Sequence, residues 1–227
     1  MVRIPGVQAV VFDLDDTLYP EKSFVFSGFE AVAAQLGRRV PCPFDAAARM
    51  RLLFEQGVRG RIFDQLLAEM HCAEAADLIP LMIEWYRTHW PSIELFVDAE
   101  RALNDMRSRF RLALVSDGPL AMQRNKVSAL GLADRLDLII LTDQWGREFW
   151  KPHPRAFETI QNTWGLEGPA CLYVADNVEK DFLSPLRLGW RTVRVHRQGG
   201  VYENAQAAED GQPEFEAGSL SEIELTT

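Results

Sequence analysis

Five short apolar runs are spaced along the chain: 9–12, 112–115, 138–141, 171–175 and 191–195. Each is bounded by polar or turn residues and reads as a buried strand rather than part of a helix. Segments of helical period lie between the later runs. One spans Asp98 to Ser108, with Asp98 as its expected N-cap. Another starts at Pro119, a residue suited to a first helical position, and runs to about Leu130. A third follows Pro154 through Thr163, and a fourth covers Glu179 to Leu188, where Pro185 should kink or start the helix. Strands alternating with helices predict an α/β fold built on a doubly wound parallel sheet.

The stretch after the first run has a different texture. Val25, Phe29, Val32 and Leu36 share one helical face, ending near Gly37. A second segment covers Phe44 to Gln56; a third aligns Ile62, Leu66 and Met70; a fourth aligns Ile79, Met82, Ile83 and Tyr86. Four one-sided stripes predict helices that share a small core of their own. The expected organisation is an α/β core made of residues 1–19 and 92–227, with residues 20–91 inserted as a helical domain. The tail beyond Gln198 is acidic and aperiodic, so partial disorder is expected there, with a short docked strand near Phe215.

Composition narrows the function classes. A chain of 227 residues with 47% hydrophobic and 25% charged residues fits an ordinary globule. A net charge of −9 argues against a broad nucleic-acid or anionic-membrane surface, though not against a small anionic substrate. Three cysteines, Cys42, Cys72 and Cys171, form no Cys-x-x-Cys pair. Reduced thiols in a cytoplasmic protein are the simpler account than a disulfide framework or a zinc site. The first six residues are too short and polar for a signal peptide, and no apolar run approaches membrane-spanning length.

The candidate chemistry sits where the apolar runs stop. The first run ends in Asp13-Leu14-Asp15-Asp16-Thr17; Asp13 and Asp15 share one face of an extended chain. A metal ion there would offset their repulsion, and hard oxygen ligands suit Mg²⁺. The second run ends in Ser116-Asp117-Gly118, Lys151 follows the third, and Asp176 ends the fourth with Asp181 five residues on. In a parallel sheet these ends converge on one edge. Together they supply a carboxylate nucleophile, an acid/base carboxyl, a metal site, a cation and a hydroxyl, the groups that phosphoryl transfer requires.

The ordered motifs Asp-Leu-Asp-Asp-Thr, Ser-Asp-Gly, Lys-Pro-His-Pro and Asp-Asn-Val-Glu-Lys-Asp resemble those of the haloacid dehalogenase-like superfamily, over roughly residues 8–195. The helical insertion after the first motif resembles the subgroup with an α-helical cap there. The resemblance implies a Rossmann-like core and a Mg²⁺-dependent phosphatase acting on a small phosphorylated metabolite, a sugar phosphate or nucleotide. It implies that Asp13 attacks phosphorus to form an aspartyl-phosphate, and that Asp15 serves as acid and then base, with a raised pKa. It further implies that Asp13, the Asp15 carbonyl and Asp176 hold Mg²⁺, with Asp181 beside the metal. Ser116, the amides near Asp117 and Gly118, and Lys151 would hold the phosphoryl group, the Asp117 side chain turning away. True dehalogenases of the superfamily lack a carboxylate at the Asp15 position, so Asp15 favours phosphoester chemistry. A phosphomutase and a non-catalytic phosphate- or partner-binding protein are the alternatives.

Overall fold

The computed structural model describes residues 1–72 and 75–226. Among the described residues eight strands are formed: β1 (Val2–Pro5), β2 (Ala9–Phe12), β3 (Arg111–Ser116), β4 (Leu138–Leu141), β5 (Cys171–Ala175), β6 (Arg191–Val195), β7 (Phe215–Ala217) and β8 (Ile223–Thr226). Six of them make one sheet in the order β4-β3-β2-β5-β6-β7, with every neighbouring pair parallel. All four residues of β2 are buried, as are all five of β5, which is why these strands read as continuous apolar runs rather than alternating ones. The chain leaves β2 for β3 and β4 on one side and returns to β5 and β6 on the other. The order therefore reverses at β2, and open α/β sheets carry their sites at such a point, beyond the carboxyl ends of the strands.

The compact unit built on this sheet comprises residues 1–21 and 94–227. Its helices are α5 (Val97–Met106), α6 (Leu120–Ala129), α7 (Arg155–Trp164) and α8 (Leu183–Arg187). On one face Val11, Val115 and Tyr173 pack with Phe157 and Ile160 of α7 and with Trp190. The Phe157 ring meets Tyr173 and Trp190 edge-on, with centroids 4.9 and 5.4 Å away. This rigid floor holds the strand ends in register: Phe12 lies opposite both Leu114 and Val174.

The second compact unit, residues 22–93, is helical among its described residues. Helix α1 (Glu21–Leu36) leads into it, followed by α2 (Ala46–Glu55), α3 (Ile62–Glu69) and α4 (Ala75–Thr88). Phe29, Val32, Leu36, Met50, Leu66 and Met82 form a core separate from that of the sheet. Asp45 caps α2 by accepting the Ala48 amide at 2.9 Å, which sets its start two residues after Phe44. Phe26 belongs to an aromatic cluster with Phe29 and Phe54. No helix among the described residues is long and apolar enough to cross a membrane.

Several local expectations are corrected. Asp98 does not cap α5, whose N-cap position is Phe96; the Asp98 carboxylate instead accepts the Leu220 amide at 2.8 Å and Arg197 at 2.7 Å. The segment expected to be helical over Glu179 to Leu188 is helical only over α8, because Pro185 is confined to a first turn, where its missing N–H costs nothing. In the tail β7, at the place near Phe215 where a docked strand was expected, extends the sheet beside β6, and β8, which was not expected, pairs in parallel with β1. Neither β1 nor β8 has the long apolar run that marks the sheet strands, since each lies in a two-stranded ribbon with alternate residues exposed or half-exposed.

Candidate active site

The loop after β2 is held by its own polar groups. Asp16 adopts a left-handed conformation (φ 48°), which Asp tolerates better than most residues. Its carboxylate accepts the Glu21 amide at the start of α1 and the Val201 amide, both at 2.8 Å. Thr17 is buried, and its carbonyl accepts the Arg197 guanidinium at 2.7 Å. Gly118 ends the β3 loop with φ 131°, and a Cβ there would lie 2.7 Å from the Gln123 side chain. Only glycine satisfies both conditions.

Asp13, Asp176 and Asp181 come together beyond β2 and β5, one carboxylate oxygen of each lying within 4.8 Å of the others. Lys151 reaches them from the loop after β4. Its fully buried ammonium pairs with Asp13 Oδ1, with Asp181 Oδ1 at 2.7 Å and with the Tyr173 hydroxyl at 3.0 Å. Burial works against that charge, but Asp13 and Asp181 outweigh it and hold the Lys151 pKa well above its ordinary value. Burial pushes the Asp13 carboxyl up to about 7, Lys151 opposing and Asp181 adding to the push. Burial, then Asp13 and Asp181, lift Asp176 to about 9. Asp181 Oδ2 is buried with no hydrogen-bond partner among the described residues. Three crowded carboxylates with one pairing ammonium and an orphaned oxygen fit a hard divalent cation such as Mg²⁺.

Asp15 differs from expectation. Burial raises its pKa, but Lys126 outweighs burial with contacts of 2.7 and 2.8 Å, assisted by hydrogen bonds from Tyr19 and Gln123, and the net direction is downward. The sequence predicted a raised value because it showed the neighbouring carboxylates and not the lysine. Gln123 also donates to Ser116 Oγ at 3.1 Å and to the Asp117 carbonyl. The Asp117 carboxylate accepts Thr142 Oγ1 at 2.7 Å, the Lys151 amide at 3.1 Å and Lys180 at 2.9 Å, so its charge is compensated within the protein.

A cavity of about 240 Å³ opens at these strand ends. Asp13, Asp15, Ser116, Asp117, Gly118 and Asp176 all line it. The structure thus brings these six to one place, with Lys151 and Asp181 buried against Asp13 and each other. Sequence reasoning missed Lys126, Gln123, Glu21, Lys180, Tyr202 and Trp150, which also line the cavity. One signal was available: Gln123 and Lys126 lie three residues apart on the buried face of α6, where helical period calls for apolar side chains.

Comparison with known proteins agrees with the fold. The family model described as haloacid dehalogenase-like hydrolase matches residues 7–189. The glyceraldehyde 3-phosphate phosphatase of Methanocaldococcus jannaschii is 25% identical over 96% of this chain and 95% of its own. The phosphoserine phosphatase of Thermus thermophilus is 31% identical over 74% of this chain and 64% of its own. Among solved structures, the magnesium-bound HAD-hydrolase YfnB of Bacillus subtilis superposes with a TM-score of 0.69 at 18% identity, covering 95% of this chain and 96% of that one.

Proposed function

The chain belongs to the haloacid dehalogenase-like hydrolases, and from that premise we infer that it is a phosphoric monoester hydrolase releasing phosphate from a small phosphorylated metabolite. The family relatives named as phosphatases of glyceraldehyde 3-phosphate and phosphoserine, both small monoesters, support that substrate class. The observation that carries the reading is the gathering of Asp13, Asp176, Asp181 and Lys151 beyond the ends of β2 and β5, with Asp15 two residues from Asp13. Residues 22–93 would serve as a cap domain, by the family resemblance.

In the proposed reaction Asp13 attacks phosphorus and becomes an aspartyl-phosphate while the ester oxygen departs. Asp15 delivers a proton to that oxygen and later takes one from the water that hydrolyses the intermediate. Paired with Lys126, Asp15 stands ionised, the form needed for the second step; a phosphoryl dianion arriving beside it raises its proton affinity for the first. Lys151 compensates charge on Asp13 and the transferred group, and Ser116 with the amides around Asp117 and Gly118 receives the phosphoryl oxygens. Asp13, Asp176 and the Asp15 carbonyl would hold Mg²⁺, with Asp181 beside it. The bound cation would supply the positive charge that lets an anionic nucleophile approach an anionic phosphate.

Hydrolysis of p-nitrophenyl phosphate with Mg²⁺ tests this reading. Wild type should turn over, and Asp13→Asn should lose about three orders of magnitude or more. Undiminished hydrolysis by Asp13→Asn overturns the mechanism; isomerised products in place of free phosphate would mark a mutase.

A further inference from the structure

Five carboxyl groups line the cavity, and four have an occupation already. Asp13 pairs with Lys151, Asp15 with Lys126 and Asp117 with Lys180, while Asp176 is assigned to the cation. Glu21 is the fifth. Its amide is taken by Asp16, which caps the start of α1, but its half-buried carboxylate has neither hydrogen bond nor ion pair among the described residues. Burial first, then the charge of Asp15, lifts its pKa to about 8. A crowded carboxyl with accessible oxygens and no partner of its own is stabilised by any donor that enters the cavity.

Its place identifies the donor. Glu21 lines the same cavity as Asp15, and its amide is anchored at 2.8 Å to Asp16, the next residue in the chain, so it stands beside the acid proposed to protonate the departing oxygen. Glu21 therefore stands on the side of the leaving group rather than with the phosphoryl-binding groups. We propose that Glu21 determines specificity by accepting a hydrogen bond from a hydroxyl or ammonium group carried near the ester oxygen. The substrate class is then phosphate monoesters of small polyols or amino alcohols, and esters with a carboxylate at that place are selected against. An added carboxylate would meet Glu21, which has no ion pair among the described residues, whereas a donor relieves it.

This inference rests on the phosphatase reading and deepens it. Four esters with leaving groups of two carbons separate the two: ethyl phosphate, ethylene glycol monophosphate, phosphoethanolamine and phosphoglycolate. With Mg²⁺ the wild type should favour the hydroxyl and ammonium esters over ethyl phosphate by about tenfold to a hundredfold in kcat/KM, the discrimination one charge-assisted hydrogen bond supplies. Phosphoglycolate should rank last. Glu21→Gln, a near-isosteric change, should abolish the ammonium preference and keep part of the hydroxyl preference. Glu21→Ala should bring both ratios close to one, with circular dichroism confirming that each variant is folded. Hydrolysis of all four esters at equal kcat/KM, or ratios that survive in both variants, overturns the inference and leaves the phosphatase reading intact. Failure to release phosphate from any ester, p-nitrophenyl phosphate included, overturns both.

Discussion

A single buried lysine changes the meaning of the residue beside the nucleophile. With Lys126 at 2.7 Å, Asp15 is held ionised, and its contribution to stability is present above the ordinary carboxyl pKa and lost as pH falls below it. Replacing Lys126 with methionine removes the main opposition to burial and leaves only the hydrogen bonds from Tyr19 and Gln123, so the Asp15 pKa should rise. The acidic limb of the kcat profile should move to higher pH, and kcat should fall about tenfold to a thousandfold, while KM changes less. A profile that keeps its acidic limb in Lys126→Met would show that the pair plays no part in setting it. Asp15 itself was legible from its spacing to Asp13. Lys126 was legible only through its spacing to Gln123 on α6, because a lysine on a helix ordinarily lies at the surface.

Elements decide how firmly that site is held. Helix α7 braces β5 through Phe157, whose ring is fully buried against Tyr173 and Trp190. Phe157→Ala should lower unfolding stability by about 3–5 kcal/mol, measured by urea denaturation. The C-terminal segment is a second brace: Arg197 is buried, spans Asp98 and the Thr17 carbonyl, and lies over the Phe96 ring at 4.1 Å. Arg197→Ala strands a partly buried carboxylate and should cost about 3–5 kcal/mol. By contrast Arg3→Ala, breaking an exposed pair with Glu224, should cost about 1 kcal/mol or less in the same experiment. Equal losses in the two arginine variants would refute the brace. Aperiodicity suggested a loose tail because its order comes from paired charges and short strands, which leave no hydrophobic period to read.

At the scale of the whole molecule, the acidic cluster couples stability to pH and to cations. Asp13, Glu21 and Asp176 are raised to about 7, 8 and 9 in the folded chain. An unfolded chain releases those protons near pH 4, so the folded form binds more of them between about pH 4 and pH 9. Stability of the metal-free protein should therefore fall as pH climbs through that window. Mg²⁺ displaces the retained protons, so its effect grows with pH: the melting temperature should gain several degrees at about pH 9 and less at about pH 6. A melting temperature indifferent to Mg²⁺ throughout, or a gain that shrinks with rising pH, would contradict the cation site.

Local pattern was enough to mark the parallel sheet and the carboxylates that follow its strands. Strand periodicity, helical stripes and turn residues are properties of neighbours in the chain, and in a parallel α/β sheet topology alone carries successive strand ends to one edge. What tertiary structure decided was the partner of each buried charge. Asp15 and Lys126 are 111 residues apart, and Arg197 and the Thr17 carbonyl 180. Glu21 has no hydrogen bond or ion pair to its carboxylate among the described residues, though three of the four other carboxyls that line the cavity are paired. Packing at ångström scale sets which charges are neutralised, and the hydrophobic pattern constrains that only indirectly.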